Sequence, residues 1–164
     1  MNHVHSDSYF LKNYVAKLLG IISAKEFPNC YNDFVKVLLN YLSQEVDAVK
    51  IETYLRIVQA ILIECDDRIA AFTGEIMPVI VKIFKESNLN QKNREKCLKI
   101  ITHLFNKLSY ADGTDPELIS KNLDKNDIME QCLALFTSIL VSHPKFLFDI
   151  KKYTVKVRHI LTII

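Results

Sequence analysis

"KEFPNCYNDFVKVLLNYL", Lys25 to Leu42, sets a proline between two apolar stretches. The ring of Pro28 crowds the residue before it, so helix is disfavoured at Phe27, and Pro28 itself suits the first turn of a new helix. Beyond it Tyr31, Phe34, Val35, Leu38, Leu39 and Leu42 recur at helical spacing, with Asp33, Lys36 and Asn40 on the other side. Ahead of it Phe10, Leu11, Tyr14, Val15, Leu18, Leu19, Ile21 and Ile22 form a wide apolar stripe, and Asp7 or Ser8 is the expected cap. The stretch therefore reads as a turn between two paired helices.

The same device recurs. "DAVKIETYLRIVQAILIEC" is a long helix capped by Asp47. After a polar break at Asp66–Arg68 comes "GEIMPVIVKIFKES", with Pro78 in its first turns and Ile76, Val79, Ile80, Ile83 and Phe84 as its stripe. "NQKNREKCLKIITHLFNKLS", from Asn90, carries Cys97, Leu98, Ile101, Leu104, Phe105 and Leu108 on one face. "NDIMEQCLALFTSILVSHPKFLFDIKKYTVKVRHILTII" divides at Pro144 into two helices. Between these, Thr114 to Glu117 fit a capping box around Pro116, which predicts a short helix over 115–123 and an abbreviated repeat. Strand signals are weak: "VIVKIF" sits inside a longer helical run, and no Asn-Gly or Gly-Gly turn joins alternating segments.

The chain is thus expected to be all-α. First helices begin near Ser8, Asp47, Asn90 and Asp127, a period of about 40 residues, which is the signature of an α-solenoid of HEAT or armadillo type. The expected organisation is one array over 1–164, a right-handed superhelix of antiparallel helix pairs at 8–43, 47–87, 90–123 and 127–164. Its core should contain Leu18, Phe34, Leu38, Leu55, Ile61, Ile80, Phe84, Leu98, Ile101, Leu104, Leu135, Ile139 and Ile150. "VRHILTII" stops within an apolar pattern, so a fragment of a longer array is expected, with exposed ends prone to self-association.

Composition narrows the function. A 164-residue chain that is 49% hydrophobic, with only three glycines and four prolines, can build a packed core rather than a loop-rich or disordered chain. Net charge is +2 with both signs mixed throughout, so direct nucleic-acid binding and attraction to a membrane surface are not expected. "MNHVHSDSYF" lacks the apolar run of a signal peptide, and no segment is long and apolar enough to span a bilayer. Cys30, Cys65, Cys97 and Cys132 share no metal-ligand spacing and read as reduced thiols at apolar helix positions, in a cytosolic or nuclear protein.

No Gly-rich phosphate loop, GxSxG or HExxH occurs, so no enzyme activity and no cofactor are expected. "DKNDIMEQ" lacks the glycine and the final glutamate of a calcium loop. His3 and His5 read as a solvated tail rather than a metal pair, and His103, His143 and His159 as helix-surface or turn residues. In "CDD" the acidic neighbours Asp66 and Asp67 raise the Cys65 thiol pKa, the wrong direction for a nucleophile. What remains is a binding scaffold. By helical phase, the polar faces of the second helices present Asp33, Lys36, Asn40, Lys82, Lys85, Asp149, Lys152 and Lys156 as candidate partner contacts.

"LKNYVAKLLGIISAKEFPNCYNDFVKVLLNYL" resembles the early HEAT repeats of importin-β superfamily receptors. Glu26, Phe27, Pro28, Tyr31, Phe34 and Leu38 match that family's acidic-aromatic-proline turn and the helix after it. "IMPVIVKIFKESNLNQKNREKCLKIITHLFNKL" is similar to the next repeats of the importin nine branch, with Met77, Pro78, Ile83, Phe84 and Arg94 in step. "LFTSILVSHPKFLFDIKKYTVKVRHIL" resembles a later helix pair. The chain departs from the pattern at Tyr31, where the family carries tryptophan, at Asn32, where it carries proline, and in the abbreviated segment after Leu108. The resemblance implies a nuclear import receptor that shuttles between cytoplasm and nucleus. It would bind the GTPase Ran in its GTP form, protein cargo such as core histones or other basic nuclear proteins, and nucleoporin repeats. The other reading is a generic HEAT scaffold subunit of a multiprotein complex.

Overall fold

The computed structural model describes residues 3–65, 67–86, 89–111, 118–119, 121 and 123–142. Among these residues every regular element is helical. The main helices are α1 (His3–Glu26), α2 (Lys36–Gln44), α3 (Ala48–Glu64), α4 (Thr73–Lys85), α5 (Gln91–Tyr110) and α6 (Lys125–Ser142). A π-helical turn, Tyr31–Val35, leads into α2, and a 3-10 helix, Asp67–Phe72, leads into α4.

The Pro28 turn lies where the sequence puts it. The Phe27–Pro28 peptide is cis, and the Tyr31 amide donates to the Pro28 carbonyl at 2.9 Å. Asp47 caps α3 by accepting from the amides of Val49 and Lys50, and Asn90 caps α5 by accepting from that of Asn93. Each satisfies amide donors that the first helical turn leaves without an internal partner. Asp124 accepts from the Asn126 amide at 2.7 Å at the start of α6, so the faint calcium-loop acid serves as a helix cap. The expected caps Asp7 and Ser8 fall within α1, which runs from His3.

The helices pack in two rows. α1 lies against α3 and α3 against α5; in the second row α2 lies against α4 and α4 against α6. Contacts between α4 and α5 join the rows. Helix α6 packs far more on α4 than on α5, so it occupies the second row beside α4. The sequence reading gave that place to the short segment 115–123 and made 127 the start of a further first-row helix. Of the short segment, Leu118 and Ile119 are helical and Leu118 is buried. The helix expected after Pro144, with Ile150 in its core, lies outside the described residues.

One continuous core runs between the rows. Leu38, Leu55, Ile61, Ile80, Phe84, Leu98, Ile101, Leu104 and Ile139 are buried in it, and Phe34 and Leu135 pack at its edge. Just after the expected polar break at Asp66–Arg68, the 3-10 helix before α4 adds Ile69, Ala70, Ala71 and Phe72 to the core.

Helix α1 corrects the expected stripe. Its inward face is Ala16, Gly20 and Ser23, spaced at i, i+4 and i+7 and all buried, and buried Phe27 continues that line just past the helix end. Leu18, expected in the core, is 42% exposed, and Phe10, Leu11, Tyr14, Val15 and Ile22 are exposed with it. The physical reason is close approach. A Cβ at Gly20 would meet the Ala60 carbonyl carbon and oxygen at 2.8 Å each, so α1 can seat against α3 only through small residues.

Helix ends are closed by side chains from other elements. His103 Nε2 on α5 lies 2.7 Å from the Leu62 carbonyl near the end of α3. Arg94 donates to the Glu86 carbonyl beyond α4 at 2.8 Å. Lys125 donates to the carbonyls of Ser109 at 3.0 Å and Ala111 at 2.7 Å at the end of α5. Lys82 donates to the Ser43 carbonyl in the last turn of α2 at 3.2 Å. The cationic donors Lys82, Arg94 and Lys125 suit these positions, because a helix C-terminus leaves carbonyls unsatisfied and carries the negative end of the dipole.

Candidate partner-binding site

The second row carries an open groove of about 470 Å³ between α2 and α4, lined by Tyr31, Lys36, Val37, Leu39, Asn40, Ser43, Glu75 and Val79 among others. Asn32, Lys36, Asn40 and Ser43 recur every three or four residues, so one polar edge of α2 runs along it. Lys82 reaches across the rim to Ser43. Leu39, Val79 and Val37 supply apolar wall, and the amides, hydroxyl and ammonium supply both donors and acceptors.

The floor is built from the Pro28 turn. Tyr31 and Phe27 both pack on Phe72, with ring centroids 4.0 Å and 5.0 Å away. The Tyr31 hydroxyl donates to Glu75 Oε2 at 3.2 Å, and Lys121 Nζ meets Glu75 Oε1 at 3.3 Å while lying 3.4 Å from the Phe72 ring centroid. Burial, then the adjacent Glu75 carboxylate, pushes the Tyr31 hydroxyl well above the ordinary phenol range, so it stays a neutral donor. This cluster ties the α1–α2 turn, α4 and the segment before α6 to one point. It fixes the groove without supplying a reactive group.

Of the eight residues chosen by helical phase, Lys36 and Asn40 line the groove and Lys82 stands at its rim. Asp33 and Lys85 are exposed but do not line it. Asp149, Lys152 and Lys156 lie outside the described residues, as do His143 and His159. Sequence reasoning missed Asn32 and Ser43, which share the helical phase of Lys36, and Glu75, which comes from another helix.

The remaining titratable groups have structural surroundings. Burial raises the Cys97 thiol and pushes Cys132 up to about 12, so both are protonated and poor nucleophiles at neutral pH. Cys65 is buried too, and Cys30 donates from Sγ to the Ser23 carbonyl at 3.2 Å. Burial lowers the His103 pKa, opposed in part by its bond to Leu62 and reinforced by Lys107. Among the described residues no group of His, Cys, Asp and Glu gathers as a metal site, and no helix is long and apolar enough to cross a membrane.

Comparison of the chain with known protein families, curated proteins and solved structures finds no match.

Proposed function

We propose that this chain is part of a HEAT-type α-solenoid, a right-handed stack of antiparallel helix pairs, and that its α2–α4 groove binds a segment of a partner protein. The observation that carries this reading is the groove itself. It is open, has apolar walls and a polar edge on one helix, and contains Lys36 and Asn40, residues picked out by helical phase. Alternating apolar and hydrogen-bonding surface on a rigid helical support suits an extended peptide, whose backbone needs partners along its length.

The narrower proposal is a nuclear import receptor, shuttling between cytoplasm and nucleus, that binds Ran in its GTP form, cargo and nucleoporin repeats. It rests on the resemblance of Glu26, Phe27, Pro28, Tyr31, Phe34 and Leu38 to the importin-β superfamily turn. Lys36 and Lys82 at the groove are unfavourable for basic cargo such as core histones, so that cargo would need another surface. A generic scaffold subunit would use the same groove without nucleotide dependence. Pull-downs with Ran loaded with GTP or GDP separate the two: retention of the GTP form alone supports the receptor, and equal or no retention leaves the scaffold.

A further inference from the structure

We infer that a second cleft, between α1, α3 and α5 on the opposite row, is a binding site for a phosphoryl group. This cleft has a volume of about 330 Å³, and its charged lining is Lys17, Arg56, Lys96 and Glu64, with the amides of Asn13 and Gln59 beside them. One cation comes from each of three successive first-row helices. Arg56 is ion-paired with Glu52, which Lys92 also meets, so Lys17, Arg56, Lys92 and Lys96 against Glu52 and Glu64 leave a surplus of two positive charges. A phosphomonoester carries about −1.5 to −2 at neutral pH, so one such group neutralises the lining, whereas a single carboxylate does not.

The site is held in place from below. Arg56 is 9% exposed and is fixed by hydrogen bonds to Asn13 on α1 and to Glu52 one turn earlier on α3. Glu52 is also engaged by Lys92 at 3.0 Å, so this carboxylate is shared between two cations and offsets the charge of Lys96 only in part. Lys96 is half-buried, and its ammonium is disfavoured by that burial and then by Arg56, with Lys92 and Lys99 adding to the repulsion and Glu52 opposing it. A bound dianion relieves this repulsion. A planar guanidinium and ammonium donors converging on one cleft are groups that recognise phosphate oxygens.

The phosphoryl group can arrive free or on a phosphorylated side chain, and the test separates these sources. The chain is titrated with inorganic phosphate, with a phosphoserine peptide and with the same peptide unphosphorylated, against sodium chloride at equal ionic strength. Binding is read from backbone amide shifts and from the thermal midpoint. Phosphate or the phosphopeptide should shift amides of α1, α3 and α5 and raise the midpoint beyond the chloride control. Lys96→Met and Lys17→Met should each weaken binding by about tenfold, the loss of one charge-assisted contact, while Lys85→Met, exposed on the other row and outside both clefts, leaves it unchanged. Tighter binding of the phosphopeptide identifies a protein-borne group, and equal binding of inorganic phosphate a free one. Effects matched by chloride or by the unphosphorylated peptide, or undiminished in both cleft variants, overturn the proposal. The cleft is separate from the α2–α4 groove, so the result stands whatever that groove binds.

Discussion

Gly20 on α1 faces the backbone of Ala60 on α3 so closely that an added Cβ would lie 2.8 Å from the Ala60 carbonyl carbon. Replacing glycine by alanine inside a helix ordinarily stabilises by about 0.5–1 kcal/mol, because less backbone freedom is lost on folding. Here the obstacle is backbone, which no rotamer change can move, and overpacking costs about 1–3 kcal/mol. Gly20→Ala should therefore destabilise, and Gly20→Val more so. Urea denaturation gives the sign directly; a stabilised Gly20→Ala would mean that α1 and α3 sit further apart.

A second pair of substitutions separates helical phase from burial. Leu55 on α3 is fully buried, and Leu55→Ala should cost about 2–5 kcal/mol. Leu18 on α1 is 42% exposed, and Leu18→Ala should cost much less. Equal losses in chemical denaturation would return Leu18 to the core.

These two leucines also show what the sequence could reveal. Apolar periodicity picks out the bulkiest stripe of a helix, and for α3, α4 and α5 that stripe faces the core. In α1 the bulk is on the wrong side, because the approach at Gly20 admits only small residues inward. The place of α6 was equally hidden, since pairing by order in the chain says nothing of which row a helix joins. Lys36, Asn40 and Lys82 were legible because they follow from the phase of single helices. The α1–α3–α5 cleft was not, since Lys17, Arg56 and Lys96 are far apart in the chain and meet only through packing.

His103 predicts a pH dependence. Burial holds its folded pKa below the ordinary value of 6.5, so below that value the unfolded chain binds the extra proton first. Its contribution to stability is complete above pH 6.5 and is lost as the pH falls through the lowered folded value. Denaturation midpoints should fall from pH 7.5 to pH 5, and His103→Asn should flatten that slope. The Asn side chain can still donate toward Leu62 but does not titrate in this range. An equally steep slope in the variant would assign the dependence to other groups.

The partner groove predicts binding loss without unfolding. Lys36 and Asn40 are exposed, so Lys36→Glu and Asn40→Asp should leave the melting temperature nearly unchanged. Against any protein ligand captured by the chain, both should weaken affinity, and the doubly substituted chain more than either. Lys85→Glu, outside the groove, should have less effect. Unchanged affinity in the double variant would remove the groove from the interface.

The outward face of α1 predicts self-association. Phe10, Leu11, Tyr14, Val15, Leu18 and Ile22 are all exposed large hydrophobics on one helix, on the side away from Ala16 and Gly20. A contiguous apolar face of this kind is costly in water and favours burial against another surface. At rising concentration the available surface is the same face on a second copy of the chain. Light scattering across a wide concentration range should therefore show mass increasing with concentration. Leu11→Glu combined with Leu18→Glu should abolish the increase, because association would then bury two unpaired carboxylates. Both side chains are exposed, at 63% and 42%, so circular dichroism of the variant should keep its helical form. Association that persists in this variant would move the contact to another surface, and a chain monomeric at every concentration would mean that the α1 face is covered from within.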